Sequence, residues 1–162
     1  MIKKVLIIRF RRIGDAVLST VLCSTIRKNF PEAEVHYLLH DPINTLFEYH
    51  PDIDKVISFP AKDSVGSYLK RVWRLMRKEK YDAIIGTRAT FTSLCFSWFS
   101  FKTKYRIGTR KSYSFIGHNY RIANQKDDTL DEVSRNLLLL KPLERLKPLE
   151  YVSDFRLCIT SE

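Results

Sequence analysis

A short turn near the start of the chain carries residue types that suit proton transfer. An apolar run reaches Arg9, and the turn after it leads to Gly14 and Asp15, where a helical pattern begins. A carboxylate at the start of a helix lies at the positive end of the helix dipole, which favours its ionised form. An ionised carboxylate can act as a general base. Asp15 is therefore a candidate base, and the alternative is that it only caps the helix.

The same turn is strongly basic. Arg9, Arg11 and Arg12 flank the candidate base, and guanidinium groups bind phosphates and carboxylates through paired hydrogen bonds. Because side chains alternate in direction along a strand, only some of the three can face a ligand, and solvation is the alternative for the others. Gly14 permits a close backbone approach or an unusual φ angle. We expect an anion-binding turn around Asp15.

Basic residues recur later in the chain. Arg88 follows the predicted fourth strand, and Arg110 lies in a segment over 106–121 in which basic and aromatic residues interleave. Such a segment suits acidic sugars, but it also suits single-stranded nucleic acid, so a nucleic-acid-binding module stays an alternative. A dinucleotide-dependent oxidoreductase is disfavoured because GxGxxG is absent. The four histidines lack metal-ligand spacing, and no metal site is predicted.

The elements that would position these residues follow an alternating order. β-Branched apolar runs alternate with segments of helical period, which is typical of a parallel sheet covered by helices on both faces. We predict strands over 4–10, 34–39, 55–59, 82–85 and 105–107, and helices over 15–29, 43–49, 67–80, 90–101 and 130–140. The fold class is α/β, a Rossmann-like doubly wound sheet. Ligands of such sheets bind at the carboxyl ends of the strands, where the basic turn lies.

Two regions depart from this order. Residues 108–128 are rich in Gly, Ser, Asn and basic residues, which predicts a long functional loop. Pro142 and Pro148 break regularity further on, and no strand pattern follows them. We therefore divide the chain into a domain over 1–141 and a segment over 142–162 that is an interdomain linker or the start of a second domain.

The composition indicates a globular protein with an anionic partner. Apolar residues make up 44% of the chain, and the formal charge is +10. This charge favours nucleic acid, membrane headgroups, or a phosphorylated or carboxylated substrate. The three cysteines are far apart, which disfavours a disulfide framework and agrees with a reducing cytoplasm. The helix over 67–80 is basic and amphipathic, so it suits an anionic membrane surface, or it covers the sheet with a solvated outer face.

Five segments of the chain form a distinctive series. The most distinctive segment is VLIIRFRRIGDAVLST over 5–20, in which a strand and a basic turn lead to Gly-Asp and a helix. The other four are FPEAEVHY over 30–37, PDIDKVI over 51–57, KYDAII over 80–85 and KYRIG over 104–108. In this order they resemble glycosyltransferase family 9, the heptosyltransferases of the lipopolysaccharide core, and essentially the whole chain takes part in the resemblance.

The resemblance implies the N-terminal half of a GT-B enzyme, whose two Rossmann-like domains face a cleft. It implies an acceptor from the lipopolysaccharide inner core on this half and ADP-heptose as the nucleotide-sugar donor on the other, without a metal or a cofactor. Asp15 corresponds to the family's general base for an inverting displacement. The basic residues named above and Gly14 are then expected to bind the acceptor.

Further expectations concern completeness and location. The chain ends where the resemblance implies a donor-binding domain, so we expect an isolated half that is inactive, and a relic of a truncated gene is the alternative. We expect it in the cytoplasm, with peripheral contact to the inner face of the inner membrane as an open possibility. Gly86 stands where the family commonly has an acidic residue, and Asp131 where it often has a histidine.

Overall fold

The structure is a computed structural model that describes residues 1–10, 12–123 and 130–157. Its sheet contains six strands: β1 (Lys4–Ile8), β2 (Glu34–His40), β3 (Lys55–Phe59), β4 (Ala83–Gly86), β5 (Tyr105–Thr109) and β6 (Tyr120–Ile122). All described strand pairs are parallel, and their order is β3-β2-β1-β4-β5-β6. This is the doubly wound order, in which the strand order reverses between β1 and β4, so the predicted Rossmann-like α/β class is confirmed.

Helices cover both faces of the sheet. The α-helices are α1 (Ile13–Asn29), α2 (Val65–Lys78), α3 (Phe91–Trp98) and α4 (Glu132–Leu138), and short 3₁₀ helices occupy Ile43–Phe47, Ser114–Ile116 and Lys141–Arg145. Within the described ranges, no helix combines the length and the apolar character that a membrane span needs.

The apolar run of β1 supplies both cores. Val5 and Ile7 pack in the cluster that α1 covers, whereas Leu6 and Ile8 pack in the cluster that α2 and α3 cover. A central strand that is buried on both faces needs apolar residues at every position, not only at alternate ones. This requirement explains why β1 has a continuous apolar sequence.

The apolar stripe of α2 was expected either to contact a membrane or to cover the sheet, and its packing decides between the two. Ser64 begins the helix by accepting a hydrogen bond from the Ser67 backbone N–H. Val72 and Met76 are buried in the cluster beneath the helix, and the basic residues of α2 lie on its exposed side. The helix therefore covers the sheet, as the second interpretation required.

The long loop predicted over 108–128 is wrong for the part that the structure describes. β5 extends to Thr109, a 3₁₀ helix spans Ser114–Ile116, and β6 adds an edge strand over Tyr120–Ile122. The strand contains only three residues, which is too short for its apolar–charged–apolar sequence to be recognised as the alternating pattern of a strand. Residues 124–129 of the predicted loop lie outside the described residues.

The residues after α4 pack closely on the domain. Leu143 is fully buried in the cluster beside α1. Further along, the Glu150 N–H donates to Asn29 Oδ1 at 2.9 Å, and the Val152 N–H donates to Thr25 Oγ1 at 3.0 Å. This segment therefore runs along α1, and the division of the chain at residue 141 stays a prediction.

An ion-pair cluster stabilises the amino-terminal edge of the sheet, where the strands begin. The Glu79 carboxylate follows α2 and accepts from Lys4 Nζ at 2.7 Å and from Lys55 Nζ at 3.1 Å. Only 10% of the Glu79 side chain is exposed. The hydrogen bond from Lys4, followed by that from Lys55, outweighs burial and lowers the pKa of Glu79 to about 2.

This cluster gives stability that depends on pH. Because the pKa of Glu79 is lower in the folded state than its ordinary value of 4.5, its contribution is complete above that value and is lost as the pH falls towards 2. The full contribution amounts to roughly 3 kcal/mol, from 1.36 kcal/mol for each pKa unit. Urea unfolding of wild type and Glu79→Gln between pH 6 and pH 2.5 should show a shallower dependence in the variant. Exposed Glu32→Gln is the control, and equal slopes in wild type and Glu79→Gln would contradict the assignment.

Candidate active site

The carboxyl end of β1 buries a guanidinium group at the switch point of the sheet. The Arg9 backbone N–H donates to the Leu38 carbonyl at 3.0 Å, so the chain is still held against β2 after β1 has ended. The Arg9 side chain is only 3% exposed. Its Nη1 donates to Thr87 Oγ1 at 3.2 Å, and Thr87 Oγ1 donates to the Ile8 carbonyl at 3.0 Å. The guanidinium thus lies between the ends of β1 and β4.

Asp15 contacts this guanidinium from the first turn of α1. Its Oδ2 lies 2.9 Å from Arg9 Nη2, and 27% of the Asp15 side chain is exposed. Asp15 Oδ1 has no hydrogen-bond partner among the described residues. The capping role considered for Asp15 is wrong, because α1 begins two residues earlier and its N-cap, Arg12, makes no side-chain capping bond. The carboxylate therefore has one oxygen held and one oxygen available.

The backbone beneath Asp15 is fixed by neighbouring elements. Ser19 Oγ donates to the Asp15 carbonyl at 2.8 Å and accepts from Asn136 Nδ2 of α4 at 3.3 Å. The buried Tyr37 hydroxyl of β2 donates to the Ala16 carbonyl at 2.7 Å. Contacts from α4 and β2 therefore fix where α1 begins and where its carboxylate points.

A second carboxylate, which the sequence analysis did not identify, completes the site. Glu132 Oε1 lies 3.4 Å from Arg9 Nη2, the same nitrogen that contacts Asp15. Asp131 places Glu132 at the start of α4 by capping the helix, because its Oδ1 accepts from the Ser134 N–H at 2.7 Å. That bond lowers the pKa of Asp131. The acidic pair before an apolar segment signals a helix start, but the contact with Arg9 joins residues 123 positions apart.

These groups border a polar cavity of about 450 Å³ at the carboxyl edge of the sheet. Asp15 and Glu132 are its acidic residues. Its basic lining residues are Arg9, Arg12, Arg88, Lys111 and Arg135. Because the cations outnumber the carboxylates, the cavity can hold an anionic ligand while an oriented carboxylate stands beside it.

The structure brings together most of the residues singled out from the sequence. Arg9, Arg12, Asp15 and Arg88 all line the polar cavity. Arg110 does not line it and is exposed, while its neighbour Lys111 does line it. Arg11 lies outside the described residues, so its expected role in acceptor binding stays a prediction.

The unusual backbone angle expected at Gly14 falls elsewhere. No described glycine has a positive φ, and the positive φ of this turn belongs to Arg12, at 23°. Gly14 already lies inside α1, and a Cβ built on it would have no atom within 4 Å. The conformational explanation for Gly14 is therefore wrong, because the turn ends before this residue. Space above Gly14 is open towards solvent.

Gly86, which stands where the family commonly has an acidic residue, lies next to a buried histidine ring. A Cβ built on Gly86 would lie 3.6 Å from the buried ring of His118, and one on Gly108 only 2.3 Å from it. The ring contacts Ser97 Oγ at 3.2 Å, and burial, followed by the nearby Arg106, lowers its pKa to about 4. A neutral imidazole thus fills the space that a longer side chain at position 86 would enter.

Comparisons with known proteins agree on one class. Lipopolysaccharide heptosyltransferase 1 of Campylobacter coli is 26% identical over 123 residues, which are 76% of this chain and 35% of that protein. A glycosyl transferase family 9 structure from Veillonella parvula covers 98% of this chain and 45% of its own, with a TM-score of 0.80 and 17% identity. The Escherichia coli heptosyltransferase WaaC with ADP-2-deoxy-2-fluoro heptose covers 86% of this chain and 48% of its own, with a TM-score of 0.70 and 15% identity. No protein-family model matches the chain.

The sheet order and the site at its switch point define a Rossmann-like domain of the kind that forms half of a GT-B fold. The resemblance to heptosyltransferases of glycosyltransferase family 9, predicted from five sequence segments, is confirmed by these comparisons. The chain spans about a third of the length of the curated relative and under half of the two solved structures.

Because Asp15 and Glu132 both contact Arg9, replacement of Arg9 should destabilise the domain. Arg9→Met would remove the cation and leave Asp15 and Glu132, which contact the same nitrogen, to repel each other. We expect a loss of roughly 2–3 kcal/mol in the free energy of unfolding, because removing one partner of a buried pair leaves uncompensated charge. Arg9→Lys should lose less because it keeps the charge.

The double variant Arg9→Met/Glu132→Gln tests the cause. It should regain part of the lost stability, because one of the two repelling charges is gone. Urea unfolding at pH 7 measures all four proteins. A double variant that is no more stable than Arg9→Met would show that packing around Arg9, and not its charge, carries the effect.

Proposed function

We propose that this chain is the acceptor-side half of an inverting glycosyltransferase that moves heptose from ADP-heptose to the inner core of lipopolysaccharide. The observation that carries the proposal is the Asp15 carboxylate, held through Oδ2 by Arg9 at the edge of a cavity with excess positive charge. The similarity to a heptosyltransferase over 76% of the chain supports this choice of reaction.

Asp15 serves as the general base in this proposal. Its Oδ1 takes the proton from an acceptor hydroxyl while that oxygen attacks the anomeric carbon of the donor. The bond from the anomeric carbon to the ADP oxygen breaks, ADP leaves with the electron pair, and the configuration inverts in a single displacement. The role of Arg9 is to keep the carboxylate in one orientation during this step.

The cations around the cavity are assigned to the acceptor. The inner core carries phosphates and the carboxylates of its acidic sugars, and guanidinium groups suit both. Arg12 and Arg88 line the cavity and are exposed. Neither forms an ion pair with another described residue, so both can contact a ligand without losing one. Lys111 joins them as an assignment that the sequence analysis did not make.

The remaining assignments follow from the same reaction. Arg11, Gly14 and Arg110 stay candidate acceptor-binding residues, with Arg110 the least supported because it lies outside the cavity lining. The donor is assigned to a second Rossmann-like domain, since GT-B enzymes hold donor and acceptor across a cleft. We place the reaction in the cytoplasm. A nucleic-acid-binding role is not favoured, because the curated relative with a similar sequence is a heptosyltransferase.

Replacement of the base tests the mechanism. In a two-domain form of the enzyme, Asp15→Asn should fold normally and lose roughly 10²–10⁴-fold in transfer rate, which is the usual contribution of a positioned general base. The assay measures addition of heptose to a heptose-deficient core acceptor by mass spectrometry.

The matched control is Glu132→Gln, which removes the other carboxylate on the same Arg9 nitrogen. It should keep most of the activity, because this residue has no proton to take in the proposed step. Transfer by Asp15→Asn at the wild-type rate, or an equal loss in the two variants, would contradict the role of Asp15.

A second prediction concerns the 162-residue chain taken alone. We expect it to fold and to transfer no heptose, because orienting two reactants supplies roughly 7–11 kcal/mol of catalysis and this half orients only the acceptor. Circular dichroism would check folding, and the same mass assay, with a two-domain relative in parallel, would check transfer. Turnover close to that of the relative would overturn the half-enzyme proposal, provided sedimentation shows a monomer.

A further inference from the structure

The positive charge of this chain is concentrated in one continuous region. Residues 65–123 contain thirteen of the 28 basic residues but only two of the 18 acidic residues. Both of those acids are occupied at the amino-terminal edge of the sheet. Glu79 binds two lysines, and Asp82 Oδ2 accepts from the backbone N–H of Lys4 at 3.0 Å. The excess positive charge of the protein therefore lies within residues 65–123, and five of the thirteen basic residues belong to α2: Lys70, Arg71, Arg74, Arg77 and Lys78.

An apolar groove of about 670 Å³ opens between these two helices. The Tyr68 hydroxyl of α2 donates to the Thr92 carbonyl of α3 at 2.7 Å, so a hydrogen bond joins the two helices within the lining of the groove. Its rim carries three large apolar side chains that stay exposed: Val65 at 77%, Phe91 at 73% and Trp98 at 51%. Exposed apolar groups that cluster around a groove indicate a contact surface, unlike exposed groups that are scattered singly.

The outer side of α2 continues this surface. Trp73 follows the groove residue Leu69 by one helical turn and is 45% exposed. Arg77 lies over its ring, with the guanidinium carbon 5.0 Å from the ring centroid. Lys70 and Arg74 are exposed on the same helix. Tryptophan beside arginine and lysine is the composition that places an amphipathic helix in the headgroup region of a bilayer.

We propose that the α2–α3 face, defined by Val65, Trp73, Phe91, Trp98 and the exposed cations of α2, binds the surface of an anionic phospholipid bilayer. The apolar rim enters the headgroup region and the cations contact lipid phosphates. This binding needs no sugar transfer, so the inference goes beyond the proposed function and can be tested apart from it. Charge complementarity selects an anionic surface, and the aliphatic side chains of Val65 and Leu69 in the groove lining suit lipid better than nucleic-acid bases, which stack on aromatic rings.

The two tryptophans of the sequence give a direct measurement, since both Trp73 and Trp98 belong to this face. On titration with vesicles of phosphatidylglycerol and phosphatidylethanolamine, the emission of the full chain should shift to the blue, and the protein should float with the vesicles. Phosphatidylcholine vesicles should bind at least tenfold more weakly, and 0.5 M salt should weaken the anionic binding.

Two double variants separate the contributions, with flotation as the measurement. Trp73→Gln/Trp98→Gln should raise the apparent Kd about tenfold or more. Arg74→Gln/Arg77→Gln should raise it roughly thirtyfold, given the contribution of each basic residue near an anionic membrane. The matched controls are Tyr49→Gln, which is 65% exposed in the layer on the other side of the sheet, and Lys3→Gln/Lys141→Gln. Neither control should change binding, and all variants should keep the wild-type unfolding midpoint, since the replaced side chains are exposed.

Three outcomes would overturn the proposal. The first is equal binding to phosphatidylcholine and to anionic vesicles, and the second is wild-type vesicle binding by both face variants. The third is absence of binding to anionic vesicles, and capture of a single-stranded oligonucleotide that the face variants weaken would then assign the face to nucleic acid. The heptose transfer assay is separate, so loss of transfer with intact vesicle binding would contradict only the proposed function.

Discussion

The buried positive charge of Arg9 is the constraint on which the site depends. A guanidinium that is 3% exposed costs several kcal/mol of desolvation, and only nearby anions or acceptors offset that cost. Thr87 supplies one acceptor from the end of β4, and the carboxylates come from the first turns of α1 and α4. Two helices and two strands must therefore meet at one point, which is the reversal point of the sheet.

The same requirement sets the chemistry of Asp15. A carboxylate that caps its own helix would point at the first backbone N–H groups, whereas Asp15 points at Arg9. Its backbone carbonyl is tied through Ser19 to Asn136 of α4, so the position of the candidate base also depends on the last helix. Preorganisation of this kind lets a base act without reorientation during the reaction. The site is thus a property of the packed domain and not of the turn alone.

The contrast between local and long-range order explains what the sequence could predict. β3 has the predicted bounds of 55–59, and Asp15, Arg12 and Arg88 meet at one edge, because apolar runs and strand ends are local signals. β6 was not predicted, since three residues around Arg121 are too few for an alternating pattern to be recognised. The contact of Glu132 with Arg9 depends on the docking of α4, which no short pattern encodes. The positive φ of Arg12 likewise comes from the packed turn, since glycine, not arginine, usually adopts it.

Two cavities of opposite character open at the carboxyl edge of the sheet, and Arg88 lines both. The polar cavity lies towards α4 and holds the carboxylates, whereas the apolar groove lies towards α2 and α3 and is bordered by Phe91 and Trp98. A doubly wound sheet produces this arrangement, because its loops lead to helices on opposite faces while all strand ends share one edge. A ligand with an anionic sugar head on a lipid anchor has the same division, with its charged part and its apolar part on either side of a junction. Since Arg88 lines both cavities, a ligand that occupied the two together would contact this residue where they meet.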